Sequence, residues 1–593
     1  MLLLATILCV VATAAGLKHV VVVGGGWAGY SAADALSASP DVRVTLLEAS
    51  PRAAGGLAAG WRTPQGRPIE AGIHGFWREY ANTFRVIDSL GLDRDAVLTP
   101  YTPSVLASKS GRVAVAPVLA TSGTARPSLT PPLTVEALLQ QVSELLPAPL
   151  DTALLAEFAP SSPLTFTDRA SAIGLLACWA DFAQEDPAAW ARYDQLSAEA
   201  LFKEYGGVTD TLYEELVEPL LHVLPMAPGY DISAGAALSC FHVFALQSRG
   251  AFDVRWCRGA ISEKIFAPWQ RRLEERGNVE LRGGARVSSI EQCSGGGLEV
   301  GVLDAVQPIL ADAVILAVGG TSAARLAAQS PVLRAAPPAK DFALLRGITC
   351  VAARLYLRPS GEATTGLRGG AHSATLLPAE VAKAMEDSPV LVVGPGVGGI
   401  PALAETGFCV YDLQRMQDEL SAGDVAVLEV DFYRADAIAD MKDDQAVAAL
   451  ALQAAAAALG VSPALLSPSL LVDVAVVRAR NAVSHFSPGS AAFSPDVRLA
   501  DGLYACGDWV DRTGHASWST EKAVVTGRQA AGRLGKELGL RSVDAAVIPA
   551  AADTAQLAAL RRIASTLRSV APPNAGIPPP APWALLRSLM PWQ

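Results

Sequence analysis

Three glycines near the start of the chain stand at spacings that suit phosphate chemistry. Gly24, Gly26 and Gly29 follow the apolar run HVVVV and lead into WAGYSAADALSAS, a helix-like stretch that ends before Pro40. In such a turn the first glycine permits a sharp change of direction, the second lets the backbone approach a pyrophosphate, and the third allows close packing of the helix. The free N–H groups of the helix N-terminus then point at the phosphates. This pattern predicts a site for an adenine dinucleotide.

An acidic residue stands where the ribose of such a nucleotide would lie. The second apolar run, VRVTLLEA, reaches Glu48, which comes 19 residues after Gly29. A carboxylate at the end of the second strand accepts hydrogen bonds from ribose hydroxyls and repels a 2′-phosphate. The strand, the glycine turn, the helix and the acid together predict a βαβ unit.

The composition is that of a globular protein with more than one domain. The chain has 593 residues, 51% of them hydrophobic and 18% charged, and this length exceeds what one ordinary core supports. Its net charge is -11, from 47 basic and 58 acidic residues, and no basic run stands out, so nucleic acid is not an expected partner. The eight cysteines and seven histidines lack CxxC, HxH and HExxH spacings, so neither a metal site nor a disulfide framework is predicted.

The first 18 residues predict a targeting segment. MLLLATILCVVATAAG is apolar, too short for a comfortable membrane span, and ends in small residues that resemble a signal-peptide cleavage site. Because no basic residues precede the apolar stretch, an uncleaved apolar anchor or a lead-in to the first strand stays open as an alternative.

The middle of the chain predicts a second structural unit. Residues 84–98 have the apolar spacing of a helix. Residues 100–165 are rich in Pro, Ser and Thr, which predicts an insertion or a linker with one helix in VEALLQQVSELL. The pattern of residues 166–275 predicts a largely helical block. A helical block that interrupts an α/β fold is typical of a lid or substrate domain. Residues 347–435 predict the strands of a second sheet, and the Ala-rich residues 445–459 predict a helix.

Four segments, in order, resemble the flavin-containing amine oxidoreductase superfamily and, within it, the phytoene and ζ-carotene desaturase branch. They are LLEASPRAAGG, EAGIHGFWREYAN, YACGDW and EKAVVTGRQAA. The resemblance implies an FAD cofactor and an α/β fold in which a Rossmann-like FAD-binding domain of the glutathione-reductase type is interleaved with a mixed-sheet and helical substrate domain. The implied bounds are 1–18 for the signal-like segment, 19–90, 279–330 and 495–535 for the FAD-binding domain, 91–278 and 331–494 for the substrate or lid domain, and 536–593 for an Ala- and Pro-rich tail.

The resemblance also implies roles for single residues. Arg52 would lie beside the pyrophosphate together with the backbone N–H groups of Gly55 and Gly56. The backbone of Val287 would pair with the adenine edge, and His74 would approach the flavin. As a strand valine and a lone histidine, these last two could equally be core residues.

At the other end of the cofactor, Gly507 and Asp508 would bind the ribitol chain. The helix that starts near Thr520 would direct its positive end at flavin N1 and O2, where negative charge collects on reduction. The full set of implied cofactor-binding residues is Gly24, Gly26, Trp27, Ala28, Gly29, Glu48, Ala49, Arg52, Gly55, Gly56, Gly72, Ile73, His74, Val287, Gly507, Asp508 and Thr520.

The sequence departs from the family pattern near the flavin. The loop between Asp508 and Glu521 is longer than in plant-type desaturases, and Lys522 stands where those enzymes carry Gly. Leu57, followed by Ala58, replaces the Arg that usually follows the paired glycines. Because of these changes, the sequence does not determine the identity of the substrate. The prediction of an FAD cofactor does not depend on them.

The chemistry that the resemblance implies is the removal of a hydride from an activated C–H bond by FAD. The leading hypothesis is an FAD-dependent dehydrogenase or desaturase that acts on a carotenoid or a related apolar isoprenoid. One alternative is a flavin amine oxidase, in which Trp518 would form one wall of an aromatic cage, and another is a non-catalytic escort protein that keeps the FAD fold. The sequence names no catalytic base.

Three further features each have two interpretations. Five aromatic residues of the helical block either line an apolar tunnel or belong to the hydrophobic core of the block: Trp179, Phe182, Trp190, Tyr193 and Phe202. The segment FDVRWCRG, with Arg255 and Arg258, binds an electron acceptor such as a quinone or forms a structural turn. The tail segments Leu557–Leu567 and Trp583–Trp592 make peripheral membrane contact or form a disordered end. The expected compartment is a plastid or the endomembrane system, entered through the N-terminal segment.

Overall fold

The computed structural model describes residues 16–52, 54–116, 157–158, 162–247, 251–359, 364–365, 374–515 and 519–570. The first strands are β1 Lys18–Val23, β2 Val42–Leu47, β3 Gly60–Arg62, β4 Pro68–Glu70, β5 Gly75–Trp77, β6 Ser104–Ser108, β7 Gly111–Ala116, β8 Glu157–Phe158, β9 Val254–Trp256, β10 Val279–Arg282, β11 Val287–Gln292 and β12 Leu298–Val302. The later strands are β13 Ile309–Ala311, β14 Ala313–Leu316, β15 Arg346–Leu357, β16 Thr364–Thr365, β17 Ala374–Thr375, β18 Val390–Val393, β19 Gly407–Asp412, β20 Ala426–Tyr433, β21 Leu471–His485, β22 Arg498–Ala500 and β23 Leu503–Ala505.

The helices alternate with these strands. In the described part of the chain, the α-helices of four residues or more are α1 Trp27–Ser37, α2 Ala81–Ser89, α3 Arg94–Val97, α4 Phe166–Asp181, α5 Pro187–Tyr193, α6 Glu218–Val223, α7 Ala234–Phe241, α8 Ala267–Glu275, α9 Gly320–Gln329, α10 Pro331–Ala335, α11 Ala379–Ala384, α12 Asp418–Ser421, α13 Asp436–Ala439, α14 Asp444–Leu459, α15 Thr520–Leu538 and α16 Ala555–Val570. Four π-helical stretches lie among them, at Ala200–Tyr205, Tyr213–Val217, His242–Leu246 and Ser262–Phe266.

A six-stranded sheet holds the glycine-rich turn. Its strand order is β10-β2-β1-β14-β23-β22, and the first five strands are parallel. The valines of β1 are consecutive and buried, as expected for a central strand covered on both faces. Because the strands are parallel, the turns that follow β1, β14 and β23 meet at one edge of the sheet, which is where α/β folds bind nucleotides. The expected Rossmann-like architecture is confirmed.

Two helices pack closely against each other over this sheet. A side chain at Gly527 of α15 would place its Cβ only 2.4 Å from the carbonyl oxygen of Ala28 in α1, so only a glycine fits there. Ser31 of α1 donates a hydrogen bond to the carbonyl of Val524 at 2.8 Å. The N-terminal and C-terminal parts of the chain are therefore joined tightly beside the glycine turn.

An eight-stranded sheet forms the second unit, in the order β21-β15-β20-β19-β18-β6-β7-β8. It confirms the strands expected over 347–435, and the Ala-rich α14 confirms the helix expected over 445–459. The interpretation of 100–165 as an insertion or linker is wrong for its first part, because β6 pairs with β18 and β7 extends the sheet. The helix expected in VEALLQQVSELL lies outside the described residues.

The helical block over 166–275 is also confirmed, with β9 as its one interruption by a named strand in the described part of this block. The five aromatic residues singled out there are all buried, and they pack on neighbouring rings: Phe182 lies 5.3 Å from Trp190 and Phe202 lies 5.9 Å from Phe241, centroid to centroid. Their role as core is thus the interpretation that the structure bears out.

The basic segment of the tail is a helix, α16, that packs on α4. Arg561 donates hydrogen bonds to the carbonyls at the end of α4, including those of Trp179 and Phe182. The second tail segment, Trp583–Trp592, lies outside the described residues, as do residues 1–15 of the signal-like segment. Across the described ranges, every helix is either too short or too polar to span a bilayer.

Candidate functional site

The turn after β1 has room for glycine alone at two positions. Gly24 adopts a positive φ of 114°, and a Cβ there would lie 2.3 Å from the carbonyl oxygen of Ala317. A Cβ on Gly29 would lie 1.9 Å from the carbonyl oxygen of Gly24. Larger residues would therefore push α1 away from the sheet.

A second glycine loop faces this turn. Gly55 donates its N–H to the carbonyl of Gly25 at 2.8 Å, and Gly56 has a φ of 51°. A Cβ on Gly56 would lie 2.9 Å from the Cα of Gly26, so the two backbones are nearly in contact. A Cβ on Gly26, in contrast, would lie 3.8 Å from the nearest atom, so the protein alone leaves room for a methyl group at this position.

The N-terminus of α1 is suited to an anion. Its N-cap, Gly26, offers no side-chain hydrogen bond to the first turn, so backbone N–H groups remain for a ligand. Trp27, the first residue, is 6% exposed, and its ring packs on Phe266 and Trp269 in the core. An uncapped helix start and two facing glycine loops fit the pyrophosphate of a dinucleotide.

Glu48 lies at the carboxyl end of β2 and touches the glycine turn directly. Its carboxylate accepts the N–H of Gly25 at 2.8 Å and the N–H of Ser50 at 2.7 Å. Its carbonyl accepts the N–H of Ala285, two residues before Val287 begins β11. Glu48, Ala49 and Val287 are thus neighbours at the edge where the sequence places the adenosine.

Arg52 is exposed and lies over the ring of Trp61, 5.7 Å from its centroid. It precedes the Gly55–Gly56 loop by only three residues. Its place beside the pyrophosphate stays a prediction.

The end of β23 supplies a second polar group. Gly507 has a φ of 139° and donates its N–H to Thr526 Oγ1 of α15 at 2.9 Å. The carboxyl of Asp508 accepts the hydroxyl of Ser484 at 3.0 Å, and burial raises the pKa of Asp508 to about 6. Thr526 and Ser484 are site residues that the sequence reasoning missed: Thr526 lies within the segment EKAVVTGRQAA but was given no role, and Ser484 belongs to no recognised motif.

The helix expected to point at the flavin begins at Thr520, as predicted. The hydroxyl of Ser519 caps it by accepting the N–H of Lys522 at 3.0 Å. Glu521 is buried and accepts the backbone N–H groups of Asn82 and Thr83 at the start of α2, both at 2.8 Å. Glu521 therefore fixes α15 against the EAGIHGFWREYAN segment, a contact that the sequence did not reveal.

Lys522, the departure from the family pattern, is buried at 1% exposure. Its Nζ donates to the carbonyl of Thr513 at 2.7 Å, and loss of hydration lowers the pKa of Lys522 to about 8. The lysine thus anchors the longer loop that follows Asp508. Trp518, the residue considered for an amine cage, lies outside the described residues.

His74 sits on a tight turn that leads into β5. Gly72 has a φ of 99°, the N–H of Ile73 donates to the carboxyl of Asp431 at 2.9 Å, and His74 Nδ1 lies 3.0 Å from the carbonyl oxygen of Gly72. Burial lowers the pKa of His74, which keeps the imidazole neutral. In β5, Trp77 packs on two rings of the helical block, 4.8 Å from Phe244 and 5.6 Å from Phe252.

The segment FDVRWCRG forms β9 and pairs with β5. Arg255 donates to the carbonyl of Thr99 and to the carboxylate of Asp95, and Arg258 pairs with Asp418 at 2.8 Å. Both guanidinium groups thus stabilise the protein itself, which favours the structural interpretation of this segment. A quinone site stays a prediction.

Comparison with known proteins agrees with this geometry. The family model described as flavin containing amine oxidoreductase matches residues 27–535. Over 100 residues the chain is 37% identical to the carotenoid phi-ring synthase of Chlorobaculum tepidum, a match that spans 16% of this chain and only 15% of that relative.

Solved structures show the same overall fold. The putative protoporphyrinogen oxidase from Exiguobacterium sp. 255-15 has a TM-score of 0.56 at 17% identity, and the two chains are covered to 88% and 99%. Cyclohexylamine oxidase from Brevibacterium oxydans IH-35A has a TM-score of 0.58 at 16% identity, with 88% of this chain and 99% of that chain covered. Putrescine oxidase has a TM-score of 0.57 at 16% identity, with 87% and 98% covered. Identities this low establish the fold alone.

Proposed function

Since this chain belongs to the flavin-containing amine oxidoreductase family and is an FAD-dependent oxidoreductase, we propose that its substrate is a carotenoid or a related apolar isoprenoid. The observation that carries the proposal is the 37% identity over 100 residues to a carotenoid phi-ring synthase. The ring of Trp77, three residues after His74, packs on the rings of Phe244 and Phe252, and this aromatic group agrees with an apolar substrate.

The residues of the chain have separate tasks in this function. The glycine loops and the start of α1 would hold the pyrophosphate, Glu48 the ribose, and Asp508 with the start of α15 the flavin end. FAD, when bound, supplies hydride acceptance at N5. The protein is left to orient an apolar chain beside the aromatic rings, to exclude water, and to accept one proton for each new double bond.

Anaerobic spectroscopy of the FAD-loaded protein tests the proposal. We expect an acyclic or a cyclic carotene, dispersed in detergent micelles, to bleach the flavin absorbance. Bleaching by cyclohexylamine or putrescine but not by a carotene would instead identify an amine oxidase, and an unchanged spectrum with every donor would point to an escort protein. The fold neighbours named above are the reason to include those two amines.

We further propose that a quinone reoxidises the flavin, and that the protein makes peripheral contact with a membrane in a plastid or in the endomembrane system. An apolar substrate resides in bilayers, which supports the second point. Helix α16 exposes Leu560 and Ile563 and has no acidic residue. Two of its three arginines pair with acids of the protein, Arg561 with Asp553 and Arg568 with Asp181, and Arg562 is exposed.

A further inference from the structure

Behind the turn that carries His74 lies a group of four buried charged side chains. Glu70, Arg354, Glu429 and Asp431 are each at most 4% exposed. They come from β4, β15 and β20, and so they join the eight-stranded sheet to the turn. Buried charges are costly unless each is paired, so the contacts of this group can be followed one by one.

Arg354 satisfies two of the three carboxyls. It donates to Glu429 Oε2, to Glu70 Oε2 at 3.5 Å, and to the carbonyl of Pro68 at 2.9 Å. The side chain of Gln417 and the backbone N–H of Ile261 complete the partners of Glu70, at 3.0 Å and 2.9 Å. One cation therefore serves two carboxylates, and Asp431 is left without a positive partner of its own.

Asp431 and Glu429 face each other with one unsatisfied oxygen each. They are two residues apart in β20 and so lie on the same face of the strand. Glu429 Oε1 and Asp431 Oδ1 are buried and have no donor among the described residues. Burial and the nearby charge of Glu429 raise the pKa of Asp431 well above its usual value. A single proton, held by Asp431 and donated to Glu429, satisfies both oxygens.

The remaining groups around Asp431 add no charge. Cys350 of β15, Cys409 and Tyr411 of β19 and Tyr433 of β20 all lie near it. Burial raises the pKa values of these thiols and phenols, so all four are neutral near pH 7. Among the described residues, the charges that act most strongly on Asp431 are those of Glu429 and Arg354.

The carboxyl of Asp431 contacts the turn that carries His74. Asp431 Oδ2 accepts the N–H of Ile73, and a Cβ on Gly72 would lie 3.3 Å from that same oxygen. The carbonyl of Gly72 then faces His74 Nδ1. Since a carbonyl can only accept, Nδ1 carries the hydrogen, and the lone pair of the neutral imidazole is at Nε2.

We propose that Asp431, protonated and hydrogen-bonded to Glu429, is a positioning residue that fixes the 72–74 turn and thereby presents Nε2 of His74 as the base of the reaction. This inference rests on the proposed function. The C–H bond next to the site of hydride loss gives its proton to Nε2, and its electron pair becomes the new C=C bond. The hydride itself is taken by FAD, so the substrate is oxidised and the flavin reduced.

Two substitutions at Asp431 test whether the hydrogen bonds of a protonated carboxyl are needed at this position. In Asp431→Asn the amide N–H can donate to Glu429 while its oxygen accepts from Ile73, which reproduces the proposed bonding. Asp431→Leu keeps the number and branching of the side-chain heavy atoms, although it is bulkier, and makes neither bond. Asp424→Asn, at an exposed position just before β20, is the matched control.

The readouts use the FAD-loaded full chain. We expect the wild type to show the infrared C=O stretch of a protonated carboxyl, and both Asp431 variants to lack it. With ¹⁵N-labelled histidine, the Nδ1–H form of His74 should persist in Asp431→Asn and be lost in Asp431→Leu. Flavin reduction by a carotene should fall about tenfold or more in Asp431→Leu, with the acidic limb of its pH profile displaced, and stay near wild type in Asp431→Asn.

An infrared band unaffected by Asp431→Asn, or a His74 tautomer unaffected by Asp431→Leu, would overturn the inference. If Asp431→Leu fails to fold, Glu429→Gln replaces it: Arg354 keeps Glu70 as its partner, and the proton of Asp431 would be donated to a neutral amide oxygen, a weaker acceptor than a carboxylate, so the protonated-acid band should move to higher frequency although Asp431 is intact. An unshifted band would contradict us. If no carotene reduces the wild-type flavin, the proposed function fails, while the infrared and ¹⁵N results still judge the role of Asp431.

Discussion

The carboxylate of Glu521 accepts hydrogen bonds from both the backbone N–H and the side chain of Asn82, at 2.8 Å and 2.7 Å, across a separation of 439 residues. The second oxygen of Glu521 accepts two more from Thr83. One buried side chain thus satisfies the start of α2 and holds it against the start of α15. Helix α15 is the helix that we propose points at the flavin.

We therefore expect Glu521→Ala to destabilise the protein. Truncation would leave the N–H groups of Asn82 and Thr83 buried without partners, which costs on the order of 3 kcal/mol in the free energy of unfolding. Urea unfolding followed by tryptophan fluorescence measures the change. The control, Glu275→Ala, removes an exposed acid at the end of α8 and should leave stability within about 0.5 kcal/mol of wild type. Equal stability of the two variants would contradict this role.

Lys522 should make stability depend on alkaline pH. Its folded-state pKa is about 8 against a usual 10.5, so between these values the unfolded chain holds a proton that the folded chain has released. The free energy of unfolding of the wild type should then rise with pH across this window relative to Lys522→Met, by at most ~3 kcal/mol. Parallel pH curves for the two proteins would show that Lys522 keeps an ordinary pKa.

Glu48→Gln should weaken FAD binding. Both partners of the carboxylate, Gly25 and Ser50, are N–H donors, so the amide nitrogen of Gln must face one of them and break that contact. We expect the Kd for FAD to rise about tenfold, measured by quenching of flavin fluorescence. Glu291→Gln, at an exposed position of β11, serves as the control and should bind as the wild type does.

Local patterns in the sequence were enough to predict the glycine turn after β1. Gly24 and Gly29 contact neighbours within a few residues or at the adjacent strand, and spacing alone encodes such contacts. The β6–β7 hairpin was missed, because its partner β18 lies far along the chain and nothing in a Pro-rich stretch indicates the pairing. Strand pairing of that kind is decided by tertiary contacts.

The same reasoning explains which site residues escaped prediction. Asp431 accepts a hydrogen bond from the N–H of Ile73, which lies 358 residues earlier in the sequence. The sequence around Asp431 predicts only a buried strand. The sequence identifies Glu521 as an acid in the first turn of a helix, but it does not indicate that Asn82 is its hydrogen-bond partner. His74 could be named because it belongs to a motif, whereas the group that orients it could not.

Membrane contact through α16 can be tested by liposome flotation. Replacing both Leu560 and Ile563 by Ser removes exposed apolar side chains and should reduce the fraction bound to anionic vesicles several-fold, about 2 kcal/mol or less in binding free energy. Leu303→Ser removes an equally exposed leucine from the turn that follows β12 and should change nothing. Flotation that is unaffected by the double substitution would exclude α16 as the contact.

The most direct test of the whole account is the FAD affinity of Gly26→Ala. The Cβ at this position meets no atom closer than 3.8 Å, so the fold tolerates it, but the methyl group would stand where the pyrophosphate must approach. Gly295→Ala, with open space and an ordinary φ, is the control. We predict wild type and control to be yellow and FAD-bound, and Gly26→Ala to melt at a similar temperature while its Kd for FAD rises about tenfold or more. A colourless wild type that stays flavin-free after reconstitution, or full FAD affinity in Gly26→Ala, would contradict the account.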